Sequence, residues 1–494
     1  MENPKSLVLI TVDCLRADHV SFMGYDRPTT PFLDSIAKQG LVIPSAIVAG
    51  APTYYSFPAI FASRYPLSLG RDLLGIAPKE PTLASVLKGQ GYATAGFVAA
   101  NPYLTRAFGY EQGFDVFKDY ISGEPGPLSS GSTQAGASGG SWFSQLNRRL
   151  ESNASRVGAA GRLYHELYFQ YCQRWAAPKP RSLSALRRFP LADAVVSDAL
   201  DWLNTVQNER FFLWIHLMDP HSPYYPADQA LPMMGRSAPT PFRARYLNDS
   251  WNRSDLSARR ASGYREDIIG LYDAGVRWVD AQLAQLVERM KQAGRWDDCL
   301  FAVTADHGEE FLDHGGRYHP PSRLMEELIH VPLLLRVPDA PSRQVADSAF
   351  SLLHLAPTLL EAMSARPAES FRGTSHWKEI RDGRSWAEPA VVECVQGCTN
   401  PFRMQNRLGP RVLAVRDNRY KLMLYFDPPS EALYDLMNDP QEKSPLPFPA
   451  ERQVRGRLLD RARVHLKSLA AERDPQAQLR SRIRDLQLEW AHSN

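Results

Sequence analysis

The sequence predicts a layered α/β protein with a small antiparallel sheet toward its C-terminal end. Three observations predict it. Five continuous apolar runs have the length of buried strands, amphipathic helical patterns alternate with them, and a later segment breaks into short apolar runs separated by turn residues.

The first run, Leu7–Val12, ends on Asp13. It is too short for a signal-peptide core, and it reads as a covered strand. Ala93–Ala99, Phe211–Leu217, Leu300–Thr304 and Val331–Val337 repeat the pattern. A helix is predicted from about Leu191 to Leu203. Another runs from about Tyr264 to Lys291, with Ile268, Tyr272, Val276, Val279, Leu283, Leu286 and Met290 at three-four spacing. Residues 123–141 are mostly Gly, Ser, Pro and Ala and read as a flexible surface insertion. Within residues 385–437, the runs Ala390–Cys394, Val412–Val415 and Tyr420–Phe426 predict the small sheet. Asp474-Pro475 suits a helix start, and Leu479, Ile483, Leu486 and Trp490 then form one apolar stripe. That stripe either docks on its own domain or makes a homo-oligomer through the C-terminal helices.

A chain of 494 residues is long enough for a large catalytic domain and an accessory one. Its hydrophobic fraction of 44% is that of a soluble globular protein, and a net charge of +3 gives no strong pull toward nucleic acid or membrane. No apolar segment is long enough to span a bilayer, so a cytoplasmic location is expected. Five cysteines make no disulfide framework, and Cys394 and Cys398 lack the second pair that a zinc site needs.

The chemistry gathers in four places. Asp13 follows a strand, where α/β sheets bind ligands and where a carboxylate suits a hard cation; a helix cap is the plain alternative. Asp306-His307 also follows a strand and offers an oxygen and a nitrogen ligand, with Gly308 allowing a tight turn. His307, His314 and His319 fall within thirteen residues, a concentration that core packing does not explain. In Asp219-Pro220-His221-Ser222-Pro223 the prolines stiffen a loop and hold an imidazole suited to proton transfer. Thr53 precedes a helix-like stretch, where backbone N–H groups favour anions; it is either a nucleophile or a cap, and Ser56 competes with it. Tyr54, Tyr55, Phe57, Tyr224 and Tyr225 either line a pocket for an organic substrate or are core.

Taken together, Val12–His19, Thr30-Pro31-Phe32-Leu33-Asp34, Ser63-Arg64-Tyr65-Pro66, Asp219–Tyr224, Thr304–Glu309, His330–Leu334, Arg419–Leu422 and Leu433–Leu436 resemble, in order, the sulfatase family of the alkaline-phosphatase superfamily. The likeness covers residues 6 to 445. It implies a large mixed β-sheet flanked by helices in a catalytic domain (1–375), a smaller C-terminal antiparallel subdomain (376–450) and a helical tail (451–494). It assigns Asp13, Asp306, His307 and Thr53 to one divalent metal ion, whether Mg, Ca, Mn or Zn. Thr53 becomes the nucleophile, and His221 and His319 contact the charged oxygens or protonate the leaving group. His314 and Asp219 join the substrate shell.

Two departures matter. Sulfatases carry a cysteine or serine that matures to formylglycine within Cys-x-Pro-x-Arg, whereas here the stretch reads Thr53-Tyr54-Tyr55-Ser56-Phe57. A secondary alcohol cannot give that aldehyde, so an ester on Thr53 has no aldehyde to collapse and water must attack phosphorus or sulfur. The second departure is Cys14, where sulfatases often carry a further Asp. Relatives with threonine in this role include nucleotide phosphodiesterases, phosphoethanolamine transferases and lipoteichoic-acid synthases, which act on phosphorus. The resemblance therefore implies hydrolysis of a small-molecule phosphate ester or phosphonate. Its alternatives are a sulfuric ester hydrolase without formylglycine, a soluble phospho-group transferase and an inactive binding protein. A single ion is expected, because Asp219-x-His221 lacks the spacing for a second site.

Overall fold

A computed structural model describes residues 4–71, 73–121, 166–176, 179–206, 209–321, 323–345, 348–448 and 450–473. The large sheet contains β1 (Ser6–Val12), β2 (Leu41–Ile47), β3 (Ala93–Val98), β4 (Val116–Lys118), β5 (Phe211–Leu217) and β6 (Cys299–Ala305). A two-stranded hairpin follows, β7 (Glu310–Phe311) and β8 (Arg317–Tyr318), and then β9 (His330–Arg336), β10 (Arg343–Gln344) and β11 (Phe350–Ser351) return to the sheet. The nine strands run in the order β10-β2-β9-β6-β1-β5-β3-β4, with β11 also on β2. The block β6-β1-β5-β3-β4 is parallel and β9 is antiparallel to both its neighbours, so the sheet is mixed. β1, β5 and β6 are buried along their full length, which is why their sequences are apolar on both faces rather than alternating.

All five predicted runs form strands at these places. β2 escapes the pattern because Pro44 interrupts Leu41–Ile47; the register with β9 shifts between Ile43 and Ala46, and the bulge absorbs the proline. The helix Ala192–Thr205 matches its expectation. The long helix runs Ala258–Gln292, starting six residues before the predicted start at Tyr264, because Ser257 caps it by accepting the N–H of Arg260.

Behind the large sheet, β12 (Ala390–Val395), β13 (Arg411–Arg416), β14 (Tyr420–Phe426) and β15 (Pro429–Asp435) form a four-stranded antiparallel meander. A helix, Arg452–Arg473, lays Leu458, Ala462 and Leu469 against Val391, Leu413, Leu422 and Leu433 of that sheet. The predicted helix after Asp474-Pro475 and the insertion at 123–141 lie outside the described residues. Among the described residues no helix is long and apolar enough to cross a membrane.

Candidate active site

In the parallel register of β1 and β6, Val12 lies opposite Ala305. The residues that follow, Asp13 and Asp306, therefore leave the sheet side by side at its carboxyl edge. Cys14 turns the chain away at φ 61, a conformation that a non-glycine residue holds only under local constraint. His307 follows Asp306, and its Nδ1–H donates to the Gly308 carbonyl at 2.8 Å, which leaves the lone pair on Nε2. That nitrogen lies 3.6 Å from Asp13 Oδ1, 3.6 Å from Asp306 Oδ2 and 3.1 Å from Thr53 Oγ1. Thr53 opens the helix Thr53–Ala62, whose N-cap position is Pro52, so its hydroxyl is free of capping duty. Gly308, expected from the sequence to allow a tight turn, has no left-handed backbone. It needs to be small: a Cβ there would lie 2.0 Å from the Glu327 carbonyl oxygen.

The electrostatics ask for a cation. Burial opposes the charge on Asp13, yet the imidazoles of His221, His216 and His307 hold it well below the usual carboxylate range. Burial, and then the Asp13 charge, push Asp306 up to about 8. Burial and the neighbouring His319 lower His307 to about 4, so its imidazole is neutral. Asp306 Oδ2 is buried and makes no well-formed hydrogen bond. Thr53 can donate its hydroxyl to the neutral imidazole, but two ionised carboxylates beside that lone pair are repulsive unless a positive charge lies between them. Ligand atoms of Asp13, His216 and Asp306, and of Asp13, Cys14 and His307, lie within 4.8 Å of one another. The donor set fits one divalent cation.

Three neighbours of Asp13 escaped the sequence reading as site residues. Trp214 Nε1–H donates to Thr11 Oγ1 at 3.0 Å, which directs the Thr11 hydroxyl proton to His216 Nδ1 at 2.9 Å. His216 then carries its proton on Nε2, 3.3 Å from Asp13 Oδ2. This chain orients the carboxylate. The signal was there: a histidine inside Phe211–Leu217 is polar where every other residue is apolar. Asn101, just beyond β3, donates from Nδ2 to Asp13 Oδ2 at 2.8 Å; nothing in its local sequence marks it. Cys14 donates S–H to Asp13 Oδ1 at 3.1 Å, and burial beside Glu309 and Asp13 raises its thiol well above the ordinary value.

Above this cluster opens a cavity of about 430 Å³, lined in part by Thr53, Tyr54, Tyr103, His221, Tyr318 and His319. The two imidazole rings are 5.2 Å apart. His221 donates Nδ1–H to the Ser222 carbonyl, and burial lowers its pKa. His319 donates Nδ1–H to Glu309 Oε1 at 3.1 Å. Burial opposes its charge, but Glu309 overcomes this and raises the pKa. Glu309 is itself buried and accepts the Tyr224 hydroxyl at 3.0 Å.

Two predicted substrate contacts are placed elsewhere. Asp219 turns inward and accepts the Ala192 N–H at 3.1 Å, at the start of the helix Ala192–Thr205. His314 Nδ1 lies 2.7 Å from Glu327 Oε1 in a separate crevice that does not include Thr53, His221 or His319. Of the aromatic residues, Tyr54 lines the cavity, whereas Phe57 packs edge-on against His216 with ring centroids 5.1 Å apart.

Fold and site together define an α/β protein with a buried donor cluster at the carboxyl edge of its large sheet. A Sulfatase family profile matches residues 5–365, and the chain belongs to the sulfatase family. A second profile, N-sulphoglucosamine sulphohydrolase, C-terminal, matches residues 317–461. The chain is 25% identical over 187 residues to Arylsulfatase K of Canis lupus familiaris, covering 36% of this chain and 33% of that protein, so it spans about a third of the length of the first curated relatives it matches. It is 21% identical over 416 residues, 77% of this chain and 78% of the other, to the multifunctional alkaline phosphatase superfamily protein PehA of Trinickia caryophylli. The crystal structure of the phosphonate monoester hydrolase of Agrobacterium radiobacter superposes with a TM-score of 0.63 at 19% identity, over 95% of this chain and 96% of that one.

Proposed function

We propose that this chain is a metal-dependent hydrolase that cleaves a phosphate ester or phosphonate through Thr53. The observation that carries the reading is the buried Thr53 hydroxyl, 3.1 Å from His307 Nε2, on the floor of a cavity that presents His221 and His319. Asp13, Asp306, His307 and Thr53 would hold the ion. When bound, a divalent cation supplies positive charge that lowers the pKa of the Thr53 hydroxyl and polarises the ester.

The remaining work falls to the chain. Thr53 Oγ1 attacks phosphorus in line, its bond to phosphorus forming as the ester P–O bond breaks. The first free N–H groups of the helix Thr53–Ala62 favour the anionic group held there. Opposed pKa shifts suggest how the two imidazoles divide the proton traffic. His319, charged and held by Glu309, gives a proton from Nε2 to the departing alkoxide. His221, neutral with its lone pair on Nε2, takes a proton from the water that attacks the phospho-threonine; the bond from phosphorus to Thr53 Oγ1 breaks, Thr53 leaves as the alkoxide in which it attacked, and the proton on His221 returns through solvent to His319.

Sulfate ester hydrolysis is the second reading, favoured by the family profile and by the arylsulfatase relative. The test is turnover of matched p-nitrophenyl sulfate, phosphate, phosphodiester and phosphonate esters in the metal-replete protein, with Thr53→Ala alongside. We expect phosphorus esters to be cleaved and the variant to lose about 10³-fold or more. Cleavage of the sulfate alone reverses the assignment, and full activity in Thr53→Ala removes the threonine nucleophile.

A further inference from the structure

Of His307, His314 and His319, His314 is the one that the active site does not use. It lies in a crevice of about 590 Å³ between the catalytic sheet and the small C-terminal sheet, lined among others by Glu327, Arg416 and Lys443. One ligand-type atom from each of Glu310, His314 and Glu327 lies within 4.8 Å of the other two. Glu310 is wholly buried. Its Oε1 takes the N–H groups of His314 and Gly316 and the Arg323 guanidinium, at 3.0, 2.7 and 2.7 Å. Its Oε2 is buried with no hydrogen-bond partner. An ionised carboxylate oxygen left bare in the interior costs free energy that a ligand would recover.

The imidazole is arranged for such a ligand. His314 Nε2 lies 3.3 Å from the Glu442 carbonyl oxygen, to which its N–H donates. A metal-binding histidine commonly spends its second nitrogen in this way, which fixes the ring and turns the other nitrogen to the ion. That other nitrogen, Nδ1, faces Glu327 Oε1 at 2.7 Å. A proton shared between them is the competitor of a cation. The crevice provides an access route from solvent.

We propose that Glu310, His314 and Glu327 form a second divalent-cation site, separate from the cluster at Asp13 and Asp306. Two carboxylates and one imidazole suit a borderline ion of the manganese or zinc kind. Its role follows from where its ligands lie in the chain. Glu310 and Glu327 bracket the loop that presents Tyr318 and His319 to the catalytic cavity, so an ion held by both closes that loop at its base.

The test is a count of ions. The full-length protein is stripped with a chelator and dialysed against Mn²⁺, and bound metal per chain is measured by mass spectrometry. We expect two ions in the wild type, one in Asp306→Ala and one in His314→Ala. Glu327→Gln serves as a milder second variant, with circular dichroism to verify the fold. In Asp306→Ala, Mn²⁺ should still raise the melting temperature, and adding His314→Ala should abolish that rise. A wild-type count that His314→Ala and Glu327→Gln both leave unchanged overturns the proposal. So does a single wild-type ion that Asp306→Ala removes. If Asp306→Ala keeps the full count while His314→Ala loses one, the second site stands and the catalytic metal reading falls.

Discussion

Glu309 governs which of the two cavity imidazoles holds a proton. It touches His319 Nδ1 at 3.1 Å, and among the described residues no equivalent carboxylate bonds to His221, whose Nδ1 is spent on a backbone carbonyl. Burial opposes the charge on the proposed acid, and Glu309, ahead of Asp13 and Asp306, raises its pKa. Replacing Glu309 with Gln removes the anion while keeping an acceptor for Tyr224. The pKa of His319 then drops, and the protonated form is lost at lower pH. In Glu309→Gln the alkaline limb of the kcat/KM profile should move to lower pH, while the limb set by His221 moves little. An unmoved alkaline limb, measured over about pH 5 to 10, would take the acid role away from His319.

At the scale of elements, the decisive contact is the one between the β6 turn and the short helix Glu326–Ile329. Gly308 lets the chain after His307 lie directly on the Glu327 carbonyl. Gly308→Ala should destabilise the protein by about 1–3 kcal/mol, as overpacking does, and should displace His307. Urea unfolding measures the first effect and metal affinity the second; wild-type values for both would show that the turn relaxes without strain. This scale also explains what was legible in advance. Strands buried on both faces write themselves as apolar runs, so β1, β3, β5, β6 and β9 were readable, and with them Asp13 and Asp306 at their ends. β2 was not, because a proline at a bulge looks like a strand breaker. Asp219 and His314 were misplaced for a different reason: a loop sequence carries residue types but not the direction of side chains. Asn101 became part of the site only through the packing of β3 two strands away from β1.

Across the whole molecule, one buried carboxylate joins three pieces. Glu393 of β12 accepts the Leu67 N–H at 2.9 Å, meets His465 of the C-terminal helix at 3.1 Å and lies 3.5 Å from Arg411 of β13. Burial opposes its charge, but His465 and Arg411 hold its pKa below the ordinary value. A carboxylate whose folded pKa is depressed stabilises the protein above its unfolded value of about 4.3 and loses that contribution as pH falls through the folded pKa. Glu393→Gln should cost about 3 kcal/mol at pH 7 and should flatten the acid side of the stability curve. Thermal melts from about pH 3 to 8 decide this, and an unchanged acid slope would show that Glu393 does not couple the pieces.

The position of β1 has a consequence for how the protein is made. It leaves the ribosome before both of its neighbours, for it lies between β5 and β6, which end at residues 217 and 305. At roughly 5–20 residues per second, β6 emerges about 15–60 s after β1. Until then an apolar strand destined for the centre of the sheet lacks at least one lateral partner, and Asp13 waits at its end for Asp306. Synthesis thus depends on keeping β1 from pairing with anything else until β6, which ends at residue 305, has been made.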